Sequence, residues 1–150
     1  MEKIYKIKEN LYIGSYRAAK KLKKLKKEGI KAIVNLMEKK KYDPRPEFVY
    51  LYKPLKDRTY IPSEDLHEIL TFINDNIKIG KVLVHCNSGI SRSGGIIVAR
   101  LMIENPNWTW DEARKYVRKF TKISPHLKIK ESILDYLKLK SHEISSKEII

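Results

Sequence analysis

The chain carries a single cysteine, Cys86, in 150 residues, so no internal disulfide can form. It is short of acid: 18 Asp and Glu stand against 32 Lys and Arg, giving a formal net charge of +14. Glycine and proline number only 6 each, which excludes a collagen-like or Pro/Gly-rich disordered chain. No apolar run nears the roughly 18 residues that a membrane helix needs. The segment from Met1 to Asn10 alternates Lys and Glu with apolar residues and lacks an apolar signal core. A cytoplasmic location with no membrane association is expected. His67, His126 and His142 stand apart without metal-ligand spacing, and no internal repeat or low-complexity linker interrupts the chain.

What is present points to one soluble domain over residues 1–150, long enough to bury a core without disulfides or metal. A polar tail after about residue 141 is expected to fray. The surplus of lysine attracts anions, whether phosphates, acidic proteins or nucleic acid. The lysines at positions 20–27 and 39–41 read first as a solvated helix face and a loop.

Apolar patterning alternates strand and helix along the chain, which points to an α/β layered domain. Leu11–Gly14, Ala32–Leu36, Val49–Leu55 and Lys81–His85 read as strands. Arg17 to Glu28 reads as one helix stopped by Gly29. Ser63 is placed to cap a helix with Leu66, Ile69, Leu70, Ile73 and Ile77 inward. A further helix is expected from Arg92 to Glu104. Thr109 and Glu112 form a capping box for a helix through Phe120. Ser124-Pro125 reads as the start of the last helix, with Ile129, Ile133, Tyr136 and Leu137 facing the core.

The chemistry concentrates in His85-Cys86-Asn87-Ser88-Gly89-Ile90-Ser91-Arg92-Ser93. A buried strand delivers the cysteine to a tight loop, and the loop opens a helix. A free thiol has a pKa near about 8.5. At a helix N-terminus, inside a nest of backbone N–H groups and near Arg92, the anion is favoured, so Cys86 is expected to be a thiolate at neutral pH. The same cradle binds a phosphate dianion. Arg92 follows Cys86 after five intervening residues and can return to grip two phosphate oxygens with its planar fork. Gly89 supplies a positive φ or a close backbone approach. Asn87, Ser88, Ile90 and Ser91 complete the loop. The arrangement sets a nucleophile beneath a phosphorus atom and donors around its equatorial oxygens.

His-Cys-x-x-Gly-x-x-Arg-Ser resembles the signature of cysteine-dependent protein phosphatases, and the rest of the chain resembles their dual-specificity branch. Asn10 to Ser15, Gly29 to Leu36 and Ile123 to His126 are similar to that family's opening strand, second strand and last-helix start. The resemblance covers about Asn10 to Leu139. It implies a central, mostly parallel sheet of four to five strands with helices on both faces. It also implies a general acid about thirty residues before the cysteine, which points to Asp57; leaving-group chemistry needs that proton. Asp65 is the rival, but at a helix start its stabilisation of the first turn is sufficient explanation. In the family, the hydroxyl matching Ser93 eases thiolate departure, and the residue matching His85 supports the loop from behind. No metal or cofactor is implied.

The resemblance further implies a monomeric enzyme with a shallow cleft that admits phosphotyrosine, phosphoserine and phosphothreonine on protein substrates. Action on RNA 5′-phosphates or phosphoinositides is the competing reading, kept alive by the charge. The neutral loop residues weigh against it, so a nucleic-acid partner is not favoured. A non-catalytic phosphate-binding module is opposed by the joint presence of Cys86, Arg92 and Asp57. Gly94, Gly95, Arg100 and His126 depart from the family's usual residues.

Overall fold

The computed structural model describes residues 2–149, with side chains through residue 141. The expected fraying after residue 141 and the side chain of His142 therefore lie outside the described side chains. Among the described residues no helix is long and apolar enough to cross a membrane.

Five strands form one sheet in the order β1-β2-β5-β3-β4. They are β1 (Tyr5–Lys8), β2 (Leu11–Gly14), β3 (Ile30–Asn35), β4 (Val49–Tyr52) and β5 (Lys81–His85). β2, β5, β3 and β4 run parallel, and β1 pairs antiparallel with β2. The register aligns Gly14 and Asn35 with His85 on either side, so three strand ends meet where the cysteine leaves the sheet. Ligand sites in such sheets lie beyond the carboxyl ends of the strands, and this one follows that rule.

Alternation along the parallel strands divides the core into two layers. Leu11, Ile13, Ala32, Val34, Val82 and Val84 face one way, packed by α3 (Ser63–Ile77), α4 (Arg92–Glu104), α5 (Trp110–Arg118) and α6 (Leu127–Ile149). Tyr12, Ile33 and Leu83 face the other way, covered by Ala19 of α1 (Tyr16–Ala19), Leu25 of α2 (Leu22–Glu28) and Phe48. The expected mostly parallel sheet with helices on both faces is thus the observed architecture.

Several boundaries differ from the sequence expectation. The helix expected over Arg17–Glu28 is two helices, broken at Lys21, whose φ of −81° and ψ of 67° are not helical. Ser15 starts the first of them, accepting the Ala18 N–H on its Oγ at 3.3 Å. The strand expected over Val49–Leu55 ends at Tyr52. Pro62, not Ser63, occupies the cap of α3. Ser124 does not cap α6; His126 does, with its Nδ1 accepting the Lys128 N–H at 3.1 Å and its carbonyl accepting from Lys130. β1 is absent from the sequence expectation, although Tyr5-Lys6-Ile7-Lys8 alternates apolar and charged residues as a half-buried strand does. Thr109 caps α5 as expected, accepting the Glu112 N–H at 3.2 Å.

Candidate active site

β5 places His85 and Cys86 at the centre of the sheet's carboxyl edge, and α4 begins at Arg92. The seven residues between strand and helix start, Cys86 to Arg92, therefore turn within one tight loop. Gly89 makes the turn with φ +79°. That backbone strains most side chains, so glycine is favoured there. Gly95 N–H makes the first helical bond, to the Ser91 carbonyl at 2.9 Å. The amides of Arg92, Ser93 and Gly94 consequently have no carbonyl partner within the helix, and they stand at the positive end of its dipole.

Cys86 is 1% exposed. Burial alone would suit an inert thiol, but the sulfur sits among polar donors. The Gly89 N–H donates to Sγ at 3.3 Å, and the Ser93 hydroxyl lies 3.2 Å from it. Ser93 is itself fully buried on the first turn of α4. The Arg92 side chain turns inward. Its Nη1 donates to the Leu55 carbonyl at 3.0 Å, and its Nε is buried with no partner among the described residues. A buried guanidinium N–H without an acceptor carries a desolvation penalty of about 1–3 kcal/mol or more. An anion accepted in the loop removes that penalty.

The loop is held from outside by two segments. Asn87 O accepts from the Tyr16 N–H at 3.0 Å. Ile90 O accepts from the Ser124 N–H at 3.0 Å, and Ser91 Oγ accepts from the His126 N–H at 3.1 Å. Ser88 bonds within the loop, its Oγ accepting the Ile90 N–H at 3.4 Å. Ile90 is 39% exposed and forms an apolar lip.

Behind the loop, His85 is fully buried. Its Nδ1 lies 3.3 Å from the Cys86 carbonyl and its Nε2 lies 2.6 Å from the Tyr42 hydroxyl. A carbonyl only accepts, so the proton sits on Nδ1 and Tyr42 donates to Nε2. Burial pushes the imidazole pKa down to about 4; the Cys86 carbonyl opposes this and the Arg92 charge adds to it. His85 is therefore neutral at physiological pH. Burial holds the Tyr42 hydroxyl well above the usual tyrosine range, so it remains a donor. Asn35, also fully buried, ties this layer together by donating to the Lys40 carbonyl at 3.0 Å and to the Tyr50 hydroxyl at 3.1 Å.

Asp57 lies on the turn after β4, two residues beyond the carbonyl that Arg92 grips. Its Oδ1 accepts the Arg58 N–H at 2.9 Å, and Arg58 has φ +62°. Asp65 sits instead in the first turn of α3, where it pairs with Lys53 at 3.2 Å. The rival carboxylate is thus engaged in a structural ion pair. Tyr42, Tyr16 and the Ser91–His126 contact carry no sequence signal, because each reaches the loop or its supporting histidine across the fold. Among the described residues no three His, Cys, Asp or Glu side chains gather as metal ligands.

Residues 11–138 match the dual specificity phosphatase catalytic domain family. The chain belongs to that family. Human dual specificity protein phosphatase 7 is 35% identical over 132 residues, covering 84% of this chain and 31% of the relative. The tyrosine-protein phosphatase yvh1 of Schizosaccharomyces pombe is 33% identical over 118 residues, covering 75% of this chain and 34% of the relative. The chain thus spans about a third of the length of these curated relatives. Among solved structures, the human tyrosine phosphatase-like serine/threonine/tyrosine-interacting protein superposes with a TM-score of 0.82 at 27% identity, covering 93% of this chain and 99% of that one. Tk-PTP in its active form superposes with a TM-score of 0.73 at 26% identity, covering 90% and 93%.

Within this dual specificity phosphatase family member, the departures noted in the sequence have packing reasons. A Cβ at Gly94 would come within 3.0 Å of Ile123, and one at Gly95 within 2.7 Å of Ile129. The glycines let the segment that pins the loop lie directly on α4. Arg100 is 8% exposed and pairs with Glu104 at 2.8 Å and Asn74 at 2.9 Å, so its charge is answered within the fold.

Proposed function

We propose that this chain is a cysteine-dependent protein phosphatase that hydrolyses phosphotyrosine, phosphoserine and phosphothreonine monoesters through a phosphocysteine on Cys86. One observation carries the reading: a sulfur with polar donors at 3.2 and 3.3 Å shares its loop with an arginine whose buried Nε has no acceptor among the described residues. A nucleophile and an unanswered cationic donor in one cradle suit a phosphoryl group. The relatives named as dual specificity and tyrosine phosphatases support protein substrates. They do not favour the RNA or phosphoinositide alternative.

In the first step the Cys86 thiolate forms a bond to phosphorus as the bond to the leaving oxygen breaks, and Asp57 gives that oxygen its proton. Arg92 and the amides of the loop and the first turn of α4 hold the three non-bridging oxygens as charge redistributes. In the second step water attacks phosphorus, the sulfur–phosphorus bond breaks, and Asp57 takes a proton from the water. The Ser93 hydroxyl, 3.2 Å from Sγ, donates to the departing thiolate. Inorganic phosphate leaves. Asn87, Ser88, Gly89, Ile90 and Ser91 shape the cradle, and neutral His85 braces it by donating to the Cys86 carbonyl. The chain acts as one domain, as a monomer, in the cytoplasm.

Phosphotyrosine and phosphothreonine peptides test this directly. Both are hydrolysed by the native chain, acid quench traps label on Cys86, and Cys86→Ser abolishes turnover. Unchanged turnover in Cys86→Ser refutes the mechanism.

A further inference from the structure

The proposed mechanism asks Asp57 to meet an oxygen leaving from phosphorus above Cys86, yet the turn that carries Asp57 has little holding it. Its own bonds are local: Arg58 N–H to Asp57 Oδ1 at 2.9 Å, and Thr59 Oγ1 to the Lys56 carbonyl at 2.6 Å. They fix the shape of the turn and leave its position open. Among the described residues no backbone hydrogen bond joins residues 56–61 to another segment. Two side-chain bonds tie the turn from outside. Arg92 holds the entering side at the Leu55 carbonyl, 3.0 Å away. On the leaving side the Tyr60 hydroxyl donates to Asp135 Oδ2 at 2.6 Å, across 75 residues of chain.

Burial does not account for Tyr60: it is 48% exposed, and the neighbouring Ile61 already anchors the chain in the core. The hydrogen bond to Asp135 holds its hydroxyl pKa above the ordinary value, so Tyr60 remains a donor. Asp135 stands on α6, and α6 also bears on the nucleophile. The segment leading into this helix donates from the Ser124 and His126 amides to Ile90 O at 3.0 Å and Ser91 Oγ at 3.1 Å. Ile129 and Ile133 of α6 lie so close to Gly95 of α4 that a Cβ there would stand 2.7 and 3.2 Å from them. One helix therefore ties both the loop of Cys86 and the turn of Asp57. Water competes for both partners of so exposed a bond, which limits what it adds to folding. Position matters more steeply: a displacement of about 1 Å can cost about 10²-fold in rate.

We infer that Tyr60 and Asp135 are positioning residues for the acid step: their hydrogen bond sets the turn bearing Asp57 in register with Cys86 through α6. The inference rests on the phosphatase reading above, with Asp57 as the acid, and adds two residues that act through Asp57 rather than on the substrate.

The test reads kcat/KM for a series of aryl phosphates ranging from good to poor leaving groups. In the native chain Asp57 supplies the proton, so the rate depends weakly on the leaving group. Tyr60→Phe and Asp135→Ala each steepen that dependence. The poorest leaving group loses about threefold to thirtyfold, and para-nitrophenyl phosphate at most about twofold. Tyr60→Phe combined with Asp135→Ala matches either single variant, because the same bond is removed each time. Asp135→Asn keeps an acceptor for the hydroxyl and recovers part of the loss. In an Asp57→Asn background Tyr60→Phe lowers no rate further. General damage to the fold lowers every substrate alike; melting curves and the rate of Cys86 alkylation, both expected as in the native chain, register it separately. An equal fall on all substrates, no fall at all, or an undiminished effect of Tyr60→Phe in the Asp57→Asn background overturns the positioning role. If Asp57→Asn itself leaves the leaving-group dependence unchanged, the acid assignment beneath the proposal fails instead.

Discussion

Arg92 Nη1 donates to the Leu55 carbonyl at 3.0 Å, so the phosphate cradle and the segment bearing Asp57 share one strut. Under the proposed mechanism the guanidinium has two tasks on two edges: one holds the backbone that leads to Asp57, and the other leaves for an anion a buried Nε that has no partner among the described residues. Arg92→Lys loses the planar fork and cannot do both. Its kcat/KM for an aryl phosphate should fall by about 10²–10³. Steady-state kinetics check this, and the loss of binding should appear as weaker competitive inhibition by vanadate.

Asp57 and Asp65 should separate cleanly. Asp57→Asn is expected to lower kcat by about 10²–10⁴ for phosphoserine, whose alkoxide leaves poorly without a proton. The loss should be smaller for para-nitrophenyl phosphate, whose leaving group needs less help. Asp65→Asn breaks only the partly exposed pair with Lys53, so its effect should stay within about 1 kcal/mol of stability. Rates on both substrates for both variants decide the assignment.

His85 makes stability depend on pH in a defined direction. Its folded pKa of about 4 lies below the ordinary histidine value of 6.5, so the unfolded chain binds the proton first as pH falls. The contribution is complete above about pH 6.5 and is lost between there and pH 4, in total about 3 kcal/mol. Denaturant melts across that window should show the decline, and His85→Asn should flatten it.

Tyr42→Phe tests the contact behind the loop. It leaves the buried Nε2 of His85 without its 2.6 Å donor, which costs about 1–3 kcal/mol of stability. Thermal and denaturant unfolding at pH 7.5, where His85 is neutral, measure it without interference from titration.

Gly95→Ala places a methyl 2.7 Å from Ile129 Cγ2 and 3.2 Å from Ile133 Cδ1. Both isoleucines are fully buried, so relief disturbs the packing around them and a loss of about 1–3 kcal/mol is expected. Because the same displacement shifts the segment whose Ser124 and His126 amides pin Ile90 and Ser91, activity should fall as well. Parallel melts and rate measurements check both effects.

The strand–loop–helix unit from Lys81 to Glu104, with Cys86 and Arg92 at their places in it, is legible in the sequence. That unit is contiguous, so its apolar run, its glycine and its helix start are written in neighbouring residues. The parallel strands are legible for the same reason, as short apolar runs, whereas helices on both faces follow from the family resemblance. How the loop is held emerges from the fold alone. Tyr42 meets His85 across 43 residues and Arg92 meets Leu55 across 37. Tyr16 meets Asn87, and His126 meets Ser91, with equally little trace in the sequence. Such contacts leave no periodic imprint, because they depend on which surfaces the sheet order brings together, and the sheet order exists only once the chain has folded.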